Sequence, residues 1–231
     1  HEPGRLVEYS PLLDAAIDQS THKPDNCVIV QRDAVLANLI EGRDLEWHQA
    51  HEGAAEMAPI SVHANDPLYI RYTSGTTGQP KGVVYSHRGA WTNAVNNAIT
   101  WEMPHHPRYL WTLPLFHCNG WCFPWTITLL AGTHVFLRSP SAAGIYQAFA
   151  NQRVTHLCGA PIIMSMIANA DETERSDFSQ TVRMMTAAAP PPPQTILAME
   201  RMGISITHVY GLTEVYGPAG GCAHKASWSS Q

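Results

Sequence analysis

From Leu68 onward, short apolar runs alternate with longer stretches of helical period. Leu68-Tyr69-Ile70-Arg71-Tyr72 is aromatic and β-branched and reads as a strand. It leads through a loop rich in glycine and hydroxyls, past Val83-Val84-Tyr85, to a helix expected over residues 88–99. A strand at 108–113 follows and runs out through Leu113-Pro114-Leu115-Phe116-His117. Gly120 to Leu130 then reads as an apolar helix closed by Gly132. Further strands are expected at 133–137, 154–158, 182–187 and 204–209, alternating with helices at 141–151, 161–170 and 191–202. Pro161 opens one of these helices, and the prolines at 190–193 fit a loop entering another at its first turn. The alternation predicts an α/β fold, a largely parallel sheet flanked by helices.

The first third is less periodic. Ser10-Pro11 followed by Leu12, Leu13, Ala16 and Ile17 reads as a capped amphipathic helix, and Cys27-Val28-Ile29-Val30 as a short buried strand. Residues 31–66 are polar and acidic, with a short helix expected at Leu45-Glu46-Trp47-His48. The chain thus divides into a peripheral segment, 1–66, and a core, 67–231. Within the core, loops at 73–82, 114–120, 187–191 and 210–214 each follow an expected strand. Ligands of parallel sheets gather beyond the carboxyl ends of the strands, so these four loops are expected on one edge.

Composition narrows the classes. With 45% hydrophobic and 14% charged residues, the 231-residue chain can bury a core and is not a disordered segment. A net charge of −5 without a basic run disfavours nucleic acid as a partner. The five cysteines are scattered without a C-x-x-C pair, which indicates neither a disulfide framework nor a zinc knuckle and points to a reducing, cytoplasmic compartment. His117, Cys118 and Cys122 come nearest to a metal cluster, but no second cluster completes a four-ligand set, so a structural role is expected. No apolar run reaches the ~18 residues of a transmembrane helix. The opening residues, HEPGRLVEYS, do not read as a signal peptide. His22, His48, His51, His63, His105 and His106 lie in polar stretches and are expected to be solvated.

The chemistry concentrates in Tyr72–Val83, reading YTSGTTGQPKGV. Glycines let backbone N–H groups approach a ligand, hydroxyls add short donors, and Lys81 adds a point charge; together they suit a polyphosphate. The P-loop fails on spacing, because Lys81 follows Pro80 and precedes Gly82 rather than a metal-binding hydroxyl. A flexible Gly/Thr surface turn is the plainer alternative.

This stretch resembles the phosphate-loop signature of the adenylate-forming (AMP-binding) enzymes, the superfamily of acyl-CoA synthetases, luciferases and peptide-synthetase adenylation domains. A second stretch, His208-Val209-Tyr210-Gly211-Leu212-Thr213-Glu214, resembles the family's Y-G-x-T-E element. The resemblance implies that Thr73, Ser74, Gly75, Thr76, Thr77, Gly78 and Lys81 hold the phosphates of ATP, joined by Thr213. It gives Glu214 and Thr73 to Mg²⁺; without it, Glu214 would read as a solvated loop acid. Val209, Tyr210 and Gly211 would meet the nucleotide, Tyr210 offering a flat face to adenine, although a core tyrosine is the alternative. Ala188, Ala189 and Pro190 stand in the family's small-residue loop against adenine and the acyl chain, and this chain has alanines at 187 and 188 where many relatives have glycines. His117 matches the aromatic gate between nucleotide and acyl sites. Lys81, His117, Thr213 and Glu214 are thus the expected catalytic group. Trp121, Phe123 and Trp125 are expected in the core, the wall of an acyl pocket being the alternative.

The wording Phe116-His117-Cys118-Asn119-Gly120-Trp121 is most similar to acyl-CoA synthetases of medium-chain, benzoate-like and methylthiopropionate-like acids. The implied reaction joins ATP, a fatty or aryl acid and coenzyme A, through an acyl-adenylate, to acyl-CoA. The resemblance is strong from about residue 67 onward and weaker before it. Because family members are much longer, it implies part of the layered N-terminal domain of an acyl-CoA synthetase. The ribose-binding aspartate, the hinge and the C-terminal domain with its catalytic lysine would be absent, leaving little or no turnover. Two other classes stay open: a non-catalytic nucleotide-binding module, and an inactive structural fragment whose uncovered sheet edges suit pairing as a homodimer.

Overall fold

The computed structural model describes residues 8–33, 35–73 and 79–222, in two compact units divided between Ser61 and Val62. In the first unit, helix Ser10–Gln19 begins with Ser10 already helical and without a side-chain cap, Pro11 instead favouring its first turn. Strand β1, Cys27–Ile29, pairs in parallel with β2, Asp44–Glu46. The expectation of a buried strand is corrected here: Val28 is 48% exposed, because a two-stranded sheet leaves a face uncovered. The short helix lies slightly later than expected, at Trp47–His51, since the Glu46 side chain accepts from the His48 N–H at 2.6 Å and caps it.

The second unit holds a six-stranded sheet and a separate two-stranded one. The smaller is formed by β3, Pro67–Thr73, and β4, Lys81–Ser86, antiparallel, with Thr73 opposite Lys81. The first expected strand therefore does not belong to the parallel sheet. Val83-Val84-Tyr85 supplies its own pairing partner, a run too short to separate from a loop by period. The larger sheet contains β5 (Arg108–Trp111), β6 (Thr133–Phe136), β7 (His156–Gly159), β8 (Val182–Thr186), β9 (Ile204–Leu212) and β10 (Gly217–Gly221). Their spatial order is β10-β9-β8-β7-β5-β6, all parallel except β10.

Period-2 alternation sends successive residues of each central strand to opposite faces. Leu110, Leu157, Met184 and Ile204 pack against helices Ala142–Gln152, Pro161–Ala168 and Pro193–Arg201 through Phe149, Met164 and Met199. Tyr109, Trp111, Cys158, Met185 and Val209 form the other core with Trp101, Phe123 and Ile127. Both faces are covered, which is why β7 is buried throughout. The chain passes from β5 to β6 on one side and then to β7 on the other, a reversal that opens a crevice beyond the strands' carboxyl ends.

Two further expectations are corrected. The helix expected from Gly120 is right-handed only over Phe123–Leu129, with Pro124 in its first turn. Before it, Cys118, Asn119, Gly120, Trp121 and Cys122 all have positive φ, a left-handed turn. Such backbone costs about 1–2 kcal/mol per L-residue. It is held by burial of Cys118, Trp121 and Cys122, and by Asn97 Nδ2 donating to the Trp121 carbonyl at 3.1 Å. The last parallel strand, expected to end at Val209, continues to Leu212, turns through Thr213–Val215 and returns as β10. Tyr210–Leu212 is therefore strand, because the glycine-rich return segment, unreadable as a strand from composition, pairs with it.

Candidate active site

The β3–β4 pairing places Thr73, half-buried at the end of one strand, across from Lys81, exposed at the start of the next. Ser74, Gly75, Thr76, Thr77 and Gly78 lie outside the described residues. Ser86, the last residue of β4, caps helix His87–Thr100 through its hydroxyl, so strand and helix form one continuous support behind Lys81.

An aromatic knot ties this support to the turn carrying Thr213 and Glu214. Tyr85 stacks on Tyr216 at 4.3 Å between ring centroids, and Tyr69 meets both edge-on. The Tyr85 hydroxyl donates to the Thr213 carbonyl. Burial, with Cys118 and Tyr216 beside it, keeps the Tyr85 phenol protonated far above its usual range; Arg71 and Glu214 also act on it, in opposite directions. Thr213 additionally meets Cys118, its Oγ1 lying 3.4 Å from Sγ. Glu214 is exposed.

A second set of residues surrounds a cavity of about 80 Å³, lined by His117, Cys118, Trp121, Ala187, Ala188, Val209, Gly211, Gly217 and Pro218. His117, Ala188, Val209 and Gly211 come from three separate regions of sequence and meet here. Tyr210 points elsewhere and is 65% exposed, while Ala189 and Pro190 are exposed and do not line the cavity. Ala188 adopts φ 77°, the left-handed region that favours glycine. Gly211 is required for packing: a Cβ there would stand 1.9 Å from the Gly217 carbonyl oxygen. Trp121 and Phe123 are buried in the core, and Trp121 also reaches the cavity. Trp125 is instead part-exposed, its Nε1 donating to the Tyr216 hydroxyl.

Sequence reasoning missed Gly217 and Pro218, which lie in a segment without strand character, and Tyr85, Asn93 and Tyr216, which carry no motif. Cys122 is a core thiol, donating to the Ala90 carbonyl at 3.3 Å and pushed by burial to a pKa of about 12. Among the described residues, no group of three or more His, Cys, Asp or Glu is placed to hold a metal ion. The two residues expected to hold a cation, Glu214 and Thr73, both carry hard oxygen atoms. That donor set fits Mg²⁺, which keeps water and substrate phosphate in its shell, better than an ion needing a full protein cage.

A family model described as "AMP-binding enzyme" matches residues 6–230. The chain belongs to the AMP-binding enzymes. Among curated members, it is 48% identical to the peroxisomal acetate/butyrate–CoA ligase AAE7 of Arabidopsis thaliana over 71% of this chain and 29% of that ligase. The peroxisomal trans-cinnamate:CoA ligase of Petunia hybrida is 40% identical over 87% of this chain and 36% of its own length. This AMP-binding chain therefore spans well under half of those relatives. Its fold is that of the N-terminal domain of FACL13 from Mycobacterium tuberculosis, at TM-score 0.73 and 24% identity over 90% of this chain and 50% of that one. O-succinylbenzoate coenzyme A synthetase from Bacillus subtilis, solved in complex with ATP and magnesium ion, superimposes at TM-score 0.70 and 18% identity, over 94% of this chain and 45% of the synthetase. Among the described residues no helix is long and apolar enough to cross a membrane.

Proposed function

We propose that these residues form the nucleotide- and acid-binding core of an acyl-CoA ligase, a protein that activates a carboxylic acid with ATP and passes the acyl group to coenzyme A. One observation carries this reading. His117, Ala188, Val209 and Gly211 line a single cavity, while the neighbouring Thr213–Glu214 turn is tied to the strand that begins at Lys81.

The first half-reaction brings a carboxylate oxygen onto the α-phosphate of ATP; the new C–O–P link gives an acyl-adenylate and pyrophosphate leaves. Two anions must approach in line, so the demand is for charge neutralisation and positioning rather than a dedicated base. In this assignment Lys81, Thr73–Gly78 and Thr213 bind phosphate oxygens. Tyr210, with Ala188, Ala189 and Pro190, borders the adenine, and His117 separates nucleotide from acid. Mg²⁺, when bound, would neutralise phosphate charge, with Glu214 and Thr73 among the groups that hold it. In the second half-reaction the thiol sulfur of coenzyme A attacks the acyl carbon and releases AMP. The acid in this reading is a carboxylic acid of the kind named for relatives, acetate or butyrate in one and trans-cinnamate in another.

We assign turnover to the whole protein, and little or none to these 231 residues alone, which span less than half of the relatives compared. Five free cysteines suit a reducing compartment, the cytosol in this reading. Calorimetric titration with ATP and Mg²⁺, on the wild type and on a Lys81→Ala/Glu214→Ala double variant, tests the site. Binding lost in the double variant supports it, and a folded wild type that binds no nucleotide refutes it. Binding without acid-dependent pyrophosphate exchange in the whole protein would favour a non-catalytic nucleotide-binding module.

A further inference from the structure

The turn bearing Glu214 is gripped at both ends by side chains of the segment that follows Lys81. At one end the Thr213 carbonyl accepts two bonds, from the Tyr216 N–H at 3.1 Å, closing the turn, and from the Tyr85 hydroxyl. At the other, the Tyr216 carbonyl accepts from Asn93 Nδ2 at 2.8 Å. Tyr216 sits at φ 65°, a conformation costly for a bulky side chain, and its ring is fixed by Tyr85, Trp125 and Asn119. Tyr85 belongs to β4, which starts at Lys81, and Asn93 to the helix that continues from it. Strand and helix are regular elements, so the two bonds tie the Glu214 turn to the structure that follows Lys81.

We propose that Tyr85 and Asn93 are positioning residues that clamp the Glu214 turn to the phosphate-binding segment and thereby set the site's affinity for magnesium-bound ATP. This rests on the function proposed above. Neither side chain needs to touch substrate; each acts through a backbone carbonyl that brackets Glu214. A clamp serving stability alone would leave the cation dependence of nucleotide binding unchanged, which separates the two roles.

The test uses the whole protein and two readouts: the Kd of ATP by calorimetry at stepped Mg²⁺ concentrations, and pyrophosphate exchange over the same steps. Tyr85→Phe keeps the ring stack and removes only the hydroxyl; Asn93→Ala removes the second bond at a different site. Each is expected to raise the Mg²⁺ concentration needed for half-maximal ATP binding about fivefold to tenfold, with the KM for the acid unchanged, as suits loss of one part-buried hydrogen bond. Glu214→Gln is the reference and should raise it further. If the wild type binds no ATP, or if Glu214→Gln leaves the Mg²⁺ requirement unaltered, the assigned site itself is wrong. If Glu214→Gln raises the requirement while either folded clamp variant keeps the wild-type dependence, the clamp inference alone falls.

Discussion

Gly211 and Gly217 face each other so closely that a Cβ on Gly211 would stand 1.9 Å from the Gly217 carbonyl oxygen and 2.5 Å from its carbon. β9 and β10 pair antiparallel here, with Gly211 opposite Pro218. The contact is backbone on backbone, so no side-chain rotation can relieve it. Gly211 thus has a structural reason to be glycine that is separate from any approach to a nucleotide.

Gly211→Ala is therefore expected to destabilise the protein by about 3 kcal/mol, the upper range for forced overpacking. Gly220→Ala, on the same strand pair but with nothing within 4 Å of its Cβ, should stay within about 0.5 kcal/mol of wild type. Urea unfolding of both variants checks the contrast.

Ala188 holds φ 77° at the cavity's edge. Ala188→Gly is expected to gain about 0.5 kcal/mol, because relief of left-handed strain outweighs the entropy that glycine adds to the unfolded chain. Ala188→Val should lose about 1 kcal/mol or more, since a β-branched residue fits this region worse. Paired thermal melts would show whether the two shifts run in opposite directions.

Asn97, 2% exposed, supports the left-handed turn by donating to the Trp121 carbonyl at 3.1 Å and to Thr126 Oγ1 at 3.4 Å. Asn97→Ala should cost about 2 kcal/mol, the loss of a buried polar partner. Asn97→Asp should cost more, as it turns a carboxylate toward the carbonyl that the amide had satisfied. Equal stability of wild type and Asn97→Ala would leave the turn to packing alone.

His156 lies inside the sheet, 2% exposed, with its pKa lowered to about 4, first by burial and then by Arg183 on the adjacent strand. Thr155 Oγ1 meets Nδ1 at 2.8 Å, and the edge of Trp101 covers the ring. The folded state binds this proton less readily than the unfolded state, so stability is fully present above pH ~6.5 and falls as the pH drops toward 4. The loss is on the order of 3 kcal/mol across that window. Unfolding free energies measured at several pH values should show this slope in the wild type and lose it in His156→Gln. A slope retained in the variant would assign the acid sensitivity to other groups.

The left-handed turn and β10 show where local pattern ran out. Apolar spacing from Gly120 to Leu130 is helical, yet the ring of Trp111 lies 2.7 Å from where a Cβ on Gly120 would be, and Asn97 holds the Trp121 carbonyl. Contacts from two other elements thus overrule the period. Gly217–Gly221 has almost no strand propensity and pairs because β9 presents a complementary backbone edge. Similarly, Lys81–Ser86 became a strand only once Pro67–Thr73 lay beside it.

Alternating apolar runs were enough to indicate an α/β sheet, since period and length are local properties that burial on both faces imposes on each strand. The two signature stretches were legible as a family resemblance, because glycine, hydroxyl and lysine stand in them at set offsets along the chain. Which residues stand together was another matter. Tyr85 and Thr213 are 128 positions apart, and Asn93 and Tyr216 are 123 apart. Hydrogen bonds across such separations form only when helices and sheet have packed, and no periodicity in one segment encodes a partner in another. The motifs were written in the sequence; the clamp that joins them, the cavity and the left-handed turn arise from packing between distant elements.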